Sequence, residues 1–387
     1  MNGADTAWII VATALVLFMT LPGLALFYGG LVRARNVLSV FMQCYAIACL
    51  MSVLWFAFGY SIAFGGEGAF WGGLGKSFLW GVAPDSLTGT IPEVLFFAFQ
   101  MTFAIITPAL IVGAYVERIG FGFVLLFSGL WMLLCYAPVT HWVWGGGWLS
   151  EMGLLDFAGG TVVHVTAGVA AVVAAMVMGP RHGFPNQPMP PHNMTMTITG
   201  AGLLWVGWFG FNAGSALGAN GIAALALMNT QVATAAALLG WIVVEKLRDG
   251  HPTSLGAASG AIAGLVAITP ACAFVAPWAA VIIGLIAGAL CALAAAMKYK
   301  FGFDDSLDVV AVHLVGGLWG CISIGFFGTS AVNSLGIDGL LYGGGTTLLG
   351  KQAFGAFMVM AYSFVVTLIL GFIIDKTIGF RVKPESE

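Results

Sequence analysis

Charged residues are scarce in this sequence. Asp, Glu, Lys and Arg together make up 7% of its 387 residues, whereas about 25% is typical of a soluble globular domain. The few basic residues form no cluster that would bind a phosphate backbone, which excludes nucleic acid as a partner. No polar stretch is long enough to form a separate soluble domain. We therefore predict that residues 1–387 form a single membrane domain.

Other features of soluble, secreted or catalytic proteins are also missing. All six cysteines lie within or at the edge of apolar runs, where cysteine behaves as a small hydrophobic residue rather than as part of a disulfide framework. The first apolar run has no basic segment or cleavage site before it, so we expect a membrane helix there, or a chain from which a signal has already been removed. The apolar runs contain no HExxH, GxSxG or GxGD motif. We predict no enzymatic activity and no cofactor.

Apolar sequence is what the chain has in abundance. Hydrophobic residues make up 60% of it, in eleven runs of roughly the 20 residues that one membrane crossing needs. We therefore predict an all-α, polytopic membrane protein with eleven transmembrane helices. The runs lie near residues 7–32, 38–64, 91–115, 121–140, 159–179, 195–215, 225–245, 254–274, 278–297, 307–330 and 353–375.

Lysine and arginine are divided unequally between the loops on the two sides. Eleven of them fall on one side, and only Lys76 and Lys351 fall on the other. Cytoplasmic loops of membrane proteins carry the excess of basic residues. The amino terminus is therefore predicted to lie outside and the carboxyl terminus in the cytoplasm, in a multi-pass protein of the cytoplasmic (inner) membrane.

Two histidines interrupt apolar runs that are otherwise uncharged. His164 lies in the fifth run and His313 in the tenth. A charged side chain at the centre of a membrane helix costs about 2.5 kcal/mol or more, so an ionisable residue there usually belongs to a transport pathway. The alternative is two unrelated core histidines, each bonded to a backbone carbonyl. We expect no metal site, because two histidines without a third ligand make an incomplete zinc site.

The positions of these histidines suggest an internal repeat. Each follows an aspartate, Asp156 or Asp305, by eight residues, and each would occupy the fifth helix of a five-helix half. We predict two inverted repeats with a site where they meet. Their approximate bounds are 7–179 and 195–330, followed by the eleventh helix at 353–375 and a short cytoplasmic tail at 376–387.

Seven segments carry a family resemblance along nearly the whole chain. They are LVLFMTLPGLALFYGGLVRARN, FQMTFAIITPALIVGAYVERI, HWVWGGGWL, DFAGGTVVHVTAG, LLWVGWFGFNAGSALGAN, SLGAASGAIAGLVAITPACAFV and DDSLDVVAVHLVGGLWG. They occur in order on the predicted helices and keep the spacing of one family. The chain resembles the ammonium transporters of the Amt/Mep/Rh family, on the Amt branch.

The resemblance implies a fold, a substrate and individual residue roles. It implies a homotrimer in the lipid membrane, in which each protomer has a narrow pore that carries ammonium or ammonia, with methylammonium as an analogue. The implied roles are ammonium binding by Phe103, Trp144 and Ser215, a gate of Phe103 and Phe211, a pore and proton relay of His164 and His313, and support from Asp156 and Trp208.

Several alternatives to these roles stay open. Trp144 and the phenylalanines would also suit interfacial anchoring or core packing. Asp156 would either attract the cation or cap a helix, and we favour the cap. Electrogenic and electroneutral transport both fit these residues. Water or carbon dioxide conduction is a further class, although the NPA motifs of aquaporins are absent.

The carboxyl-terminal segment raises a question about regulation. The resemblance implies that a longer tail helps to bind PII signal proteins, and the short segment 376–387 argues against that contact. A removed tail or a lost signalling domain would also explain why this segment is short. The alternative function is therefore an ammonium sensor module with little or no flux.

Overall fold

Eleven helices, three single turns of 3₁₀-helix and one short β-hairpin make up the regular structure of the chain, which a computed structural model describes over residues 1–387. The hairpin pairs β1 (Leu87–Thr88) with β2 (Ile91–Pro92) in antiparallel register between the second and third helices. The helices are α1 Gly3–Leu31, α2 Ala34–Phe64, α3 Glu93–Tyr115, α4 Phe121–Met152, α5 Gly160–Met178, α6 Met194–Gly214, α7 Gly221–Asp249, α8 Ser254–Ile268, α9 Pro277–Phe301, α10 Val310–Phe327 and α11 Thr347–Thr377.

Ten of these helices are long and apolar enough to cross a membrane. Helices suit such sequences because every backbone group is hydrogen-bonded within the segment and none faces lipid unpaired. The prediction of a polytopic, helical membrane protein is confirmed at this level.

Helix α8 is shorter than the sequence suggests. The apolar run extends to residue 274, but α8 ends at Ile268 after 15 residues, and turns follow it. Pro270 lies in these turns, where it supplies no backbone N–H to continue the helix. Its carbonyl oxygen instead accepts a hydrogen bond from the backbone N–H of Phe157 at 3.0 Å. The eleventh membrane crossing therefore stays a prediction.

Helices α7 and α9 pack closely through small residues. Gly284 and Gly288 of α9 lie against the backbone at Ala233 and Ala237 of α7, where a Cβ atom on either glycine would overlap a carbonyl oxygen. Small residues permit such close approach between helices in lipid. The two helix backbones are therefore in direct contact at these positions.

Helix α3 connects the two ends of the bundle and is largely buried. Its first residue, Glu93, lies near the amino terminus of the chain, since the hairpin preceding α3 accepts a hydrogen bond from Asn2. Glu117 follows its last turn at the opposite end. Helix α3 therefore runs from the Glu93 end of the bundle to the Glu117 end.

A buried ion-pair network holds the Glu117 end together. Arg181 donates to both carboxylate oxygens of Asp304 at 2.8 Å and to Glu117 at 2.6 Å. Arg118 donates to the carbonyl oxygen of Asp304 at 2.6 Å. These residues join the end of α3 to the segments before α6 and α10.

Burial and nearby cations act in opposite senses on the carboxylates of this network. Burial alone would raise their pKa values, but hydrogen bonds to Arg33 and Arg181 hold the pKa of Glu117 below its usual range. Arg181 and Arg118 do the same for the pKa of Asp304. Both groups are therefore charged at neutral pH.

Candidate functional site

A vestibule of about 580 Å³ opens at the Glu93 end of the bundle. Trp144 of α4 and Ser215, immediately after α6, both line it. The indole N–H of Trp144 donates to the carbonyl oxygen of Asp156 at 2.8 Å, and the Ser215 hydroxyl donates to that of Phe211 at 2.8 Å. The indole edge and the hydroxyl hydrogen are thus engaged, and the ring face and the oxygen lone pairs are available to a ligand.

Two phenylalanine rings lie between the vestibule and the interior. Phe103 of α3 and Phe211 of α6 are fully buried and stacked, with ring centroids 4.2 Å apart and an interplanar angle of 26°. Phe103 also contacts Trp144 edge-to-face at 6.0 Å. The three predicted residues Phe103, Trp144 and Phe211 therefore form one continuous group of rings.

The two intramembrane histidines contact each other beyond these rings. Nδ1 of His164 lies 3.0 Å from Nδ1 of His313, and the ring planes are within 17° of parallel. Both side chains are buried, and Nε2 of His164 has no hydrogen-bond partner in the protein. Because the two Nδ1 atoms face each other, one must donate and the other accept, although the tautomers are inferred from this contact.

Trp208 stacks on His164, with centroids 5.4 Å apart and planes within 18°. Its indole N–H donates to the hydroxyl of Thr269 at 2.8 Å, and that hydroxyl lies 3.2 Å from Oδ1 of Asn212. Trp208 also contacts Phe211 at 5.4 Å. The predicted supporting residue thus links the phenylalanine pair to the histidine pair.

Both histidines lie in π-helical turns, Gly160–Val165 and Val310–Val315, at the start of α5 and α10. A π-helical turn widens the helix by one residue and is frequent at functional sites. The widened turns place the two imidazoles between α5 and α10.

Asp156 is bonded entirely to the start of α5. Its two oxygens accept from the backbone N–H groups of Gly159, Gly160 and Thr161 at 2.6–2.9 Å, and from the Thr161 hydroxyl at 2.5 Å. These are the bonds of a helix cap. The geometry matches the capping role. The carboxylate does not line the vestibule, and Asp156 contacts a vestibule residue only through its backbone carbonyl oxygen, which is bonded to Trp144.

Asp305 occupies the related position before α10. Its Oδ2 accepts from the backbone N–H of Val310 at 2.6 Å, whereas Oδ1 is buried without a partner. Burial and the neighbouring Asp308 raise the pKa of Asp305 to about 7, against the opposing charge of Lys298. The acidic residues before α5 and α10 therefore both bond to a helix start.

Three further residues of the vestibule were not identified from the sequence. Tyr60, Lys76 and Glu93 line it together with Trp144 and Ser215. Two signals in the sequence point to them: Lys76 is one of two basic residues on its side of the membrane, and Glu93 is an acidic residue at the start of an apolar run. Elsewhere, the structure contains no group of three or more His, Cys, Asp or Glu side chains able to hold a metal ion.

Comparisons with known proteins agree on one family. The model of the Ammonium Transporter Family matches residues 7–387. The ammonium transporter of Mycobacterium tuberculosis is 49% identical over 418 residues, covering 100% of this chain and 87% of that relative. The crystal structure of Saccharomyces cerevisiae Mep2 superposes with a TM-score of 0.93 at 36% identity, covering 100% of this chain and 88% of Mep2.

A second solved structure bears on the sensor alternative. A protein described as a sensor Amt protein superposes with a TM-score of 0.91 at 30% identity, covering 99% of this chain and 95% of that one. These matches confirm the resemblance carried by the seven sequence segments, and the chain belongs to the Ammonium Transporter Family.

Proposed function

We propose that this chain transports ammonium nitrogen across the cytoplasmic membrane, with its amino terminus outside and the vestibule facing outward. Family membership supports this proposal. The Mycobacterium tuberculosis relative supports it as well, because it is named as an ammonium transporter. The bias of basic residues supports the orientation, because Lys76 and Lys351 are the only two on the vestibule side.

Ammonium capture takes place in the vestibule at Phe103, Trp144 and Ser215. A cation that enters must lose part of its water shell, and each cation–π contact returns about 0.5 to 2 kcal/mol. The Ser215 oxygen supplies a hydrogen-bond acceptor for an N–H of the ion. The two rings and the hydroxyl together offset partial dehydration.

Deprotonation precedes passage through the stacked pair of Phe103 and Phe211. Transfer into an apolar lumen disfavours a charged species, so the pKa of ammonium falls as it leaves the vestibule. Closed aromatic rings exclude water and hydrated ions. Neutral ammonia is the form that passes.

The histidine pair receives the ammonia below the rings. Nε2 of His164 is buried without a partner and offers the polar contact that the apolar lumen lacks. The direct Nδ1 contact between His164 and His313 provides a route by which a proton could follow. Transport is electrogenic if the proton follows the nitrogen and electroneutral if it returns outside.

The architecture proposed for this function has eleven crossings in two inverted five-helix halves, followed by α11. Exposed apolar side chains cover α7, α9 and α11, which suits contact with lipid and with two further copies in a homotrimer. Binding of a PII signal protein is not part of the proposal.

One observation carries the proposal: the rings of Trp144, Phe103, Phe211 and His164 form an unbroken series of contacts from the vestibule to His313. A series that joins an open cavity to a buried imidazole pair suits permeation better than surface anchoring.

The test compares the purified wild-type protein with His164→Ala and His313→Ala in liposomes. Ammonium jumps on a solid-supported membrane should give saturable currents in the wild type, and methylammonium uptake covers slow or electroneutral flux. Each variant should lose conduction or ammonium selectivity. His251→Ala is the matched control, because His251 is exposed and forms no hydrogen bond. Unchanged transport and selectivity in both pore variants would contradict the relay.

A sensor with little or no flux is the second candidate function, and its support is the likeness to the sensor Amt protein. The same liposomes separate the two functions. Ammonium binding without current and without methylammonium uptake would favour the sensor over the transporter.

A further inference from the structure

The vestibule already contains one ammonium group, which belongs to the protein itself. Lys76 lies in the segment between α2 and the hairpin, and its Nζ is 2.5 Å from Oε1 of Glu93. The same nitrogen is 6.0 Å from the centroid of the Tyr60 ring. A primary ammonium thus sits between a carboxylate and an aromatic ring inside the cavity that Trp144 and Ser215 line.

Glu93 is one of two buried acidic residues at this end, with 7% of its surface exposed, and the other, Asp156, is bonded to the start of α5. A buried carboxylate requires a cation or several hydrogen-bond donors to offset its lost hydration. The Tyr60 hydroxyl donates to Oε1 at 2.8 Å, and Oε2 accepts no hydrogen bond from the protein. Lys76 is therefore the only cation paired with this carboxylate, and its own side chain is 34% exposed.

A second acceptor lies farther along the same face of α3. Gln100 is seven residues after Glu93, which is two helical turns and about 10 Å along the axis toward Phe103. Its Oε1 is buried without a partner, and its side chain lines the vestibule. An unsatisfied buried acceptor in a cavity is expected to meet a donor that enters with a ligand.

These observations point to a cation site before the one formed by Phe103, Trp144 and Ser215. We propose that Glu93, Tyr60 and Gln100 bind monovalent ammonium-type cations in the vestibule, and that the Lys76 ammonium competes with free ammonium for the Glu93 carboxylate. Free ammonium and methylammonium carry the same charge and the same N–H donors as the lysine head group. The inference rests on the proposed function for its role in transport, but binding at this site does not require flux.

Competition by Lys76 has a definite consequence for affinity. When the flexible lysine side chain swings toward solvent, Glu93 becomes free for an incoming ion, and when it returns, the ion is displaced toward Phe103. Removing the lysine amine should therefore strengthen ammonium binding, whereas removing the carboxylate charge should weaken it. If the Lys76–Glu93 pair only held the loop against α3, either substitution would break it. Both substitutions would then shift the affinity for ammonium in the same direction.

The experiment measures the half-saturating ammonium concentration in Lys76→Met, Glu93→Gln and the charge-preserving control Lys76→Arg. Two readouts are used: the current in liposomes and the rise in unfolding temperature of the detergent-purified protein on addition of ammonium chloride. We expect half-saturation to fall about twofold to fivefold in Lys76→Met and to rise by a similar factor in Glu93→Gln, as for one partly solvated ion pair. Lys76→Arg keeps the competing cation and should not lower half-saturation as Lys76→Met does.

Two controls address the nature of the site. Tetramethylammonium chloride has the same charge but no N–H donors, and at equal ionic strength it should not raise the unfolding temperature. Added sodium chloride should reduce the difference between Lys76→Met and wild type, because exposed charges are screened within about 10 Å at 0.1 M salt.

The outcomes separate this site from the transport function. Shifts of the same sign in Lys76→Met and Glu93→Gln, or no shift in either, would overturn the site while wild-type currents left transport intact. Opposite shifts in ammonium-dependent unfolding temperature, without any wild-type flux, would support the site and contradict transport.

Discussion

Two aromatic side chains of the proposed pore are oriented by hydrogen bonds at their edges. Trp144 donates its indole N–H to the carbonyl oxygen of Asp156, and Trp208 donates to the hydroxyl of Thr269, each at 2.8 Å. With their edges bonded in this way, Trp144 contacts Phe103 edge-to-face and Trp208 stacks on His164. These two hydrogen bonds therefore help to fix the orientation of the two indole rings.

Replacement of Trp144 tests its ring face as a cation contact. Trp144→Leu should raise the half-saturating ammonium concentration about 2- to 30-fold, the equivalent of a lost cation–π contact of about 0.5 to 2 kcal/mol. Trp144→Phe keeps an aromatic face, so its half-saturating ammonium concentration should lie between those of the wild type and Trp144→Leu. Currents in liposomes give the half-saturation values, and equal values for Leu and wild type would assign Trp144 to packing alone.

Replacement of Asp156 separates capping from attraction of the cation. Asp156→Ala leaves the N–H groups at the start of α5 without their acceptor, so the free energy of unfolding should fall by about 1 to 3 kcal/mol. Asp85→Ala is the control, because Asp85 is exposed and forms no hydrogen bond. Unfolding of the detergent-purified protein measures the difference. An unchanged stability with weakened ammonium binding would instead assign the carboxylate to attraction of the cation.

At the scale of helices, the two ends of the bundle are built differently. The vestibule end is aromatic and open, whereas arginine–carboxylate pairs at the Glu117 end tie α3 to the segments before α6 and α10. Arg181 and Asp304 are 123 residues apart in the chain and form a bidentate pair. This network fixes the position of the start of α10, and with it the position of His313.

The network predicts how stability depends on pH. The folded-state pKa values of Glu117 and Asp304 are lowered, so their stabilisation is complete above the ordinary carboxyl pKa of about 4 and is lost as pH falls through the lower folded values. Arg181→Ala should lower the free energy of unfolding by about 3 to 5 kcal/mol at pH 7, because it breaks two buried ion pairs and leaves Glu117 with Arg33 and Asp304 with Arg118 as their remaining cations. That deficit should shrink as the pH is lowered and the carboxylates become protonated.

Thermal unfolding of detergent-purified wild type and variant between pH 7 and pH 4 measures this deficit. Asp305 has a raised pKa, so its contribution to stability changes with pH in the opposite sense. It is present in both proteins, and its contribution cancels in the difference between them. Arg248→Ala is the control, since its pair with Asp249 is solvent-exposed and such pairs contribute little. A deficit that stays constant with pH would show that the loss comes from packing rather than from charge.

At the scale of the whole molecule, local sequence patterns predict the helices well and the vestibule only in part. Apolar runs of membrane length and two histidines in matching positions are local features, and they lead to the observed helices and to the facing imidazoles. The end of α8 at Ile268 differs from the prediction because an apolar run does not reveal where Pro270 ends the helix. Contacts made by a loop are harder still to predict from the sequence, because no periodicity determines the path that brings Lys76 to Glu93.

The facing Nδ1 atoms of His164 and His313 give the proposed pore a polarity with two states. One ring donates, so its Nε2 carries a lone pair, and the other accepts, so its Nε2 carries a hydrogen. A proton that enters at the first Nε2 and leaves from the second exchanges these roles and reverses the polarity. The pair must return to its original tautomers before a second proton can follow in the same direction. Any proton current through this pore would therefore include a reset step that the movement of neutral ammonia does not require.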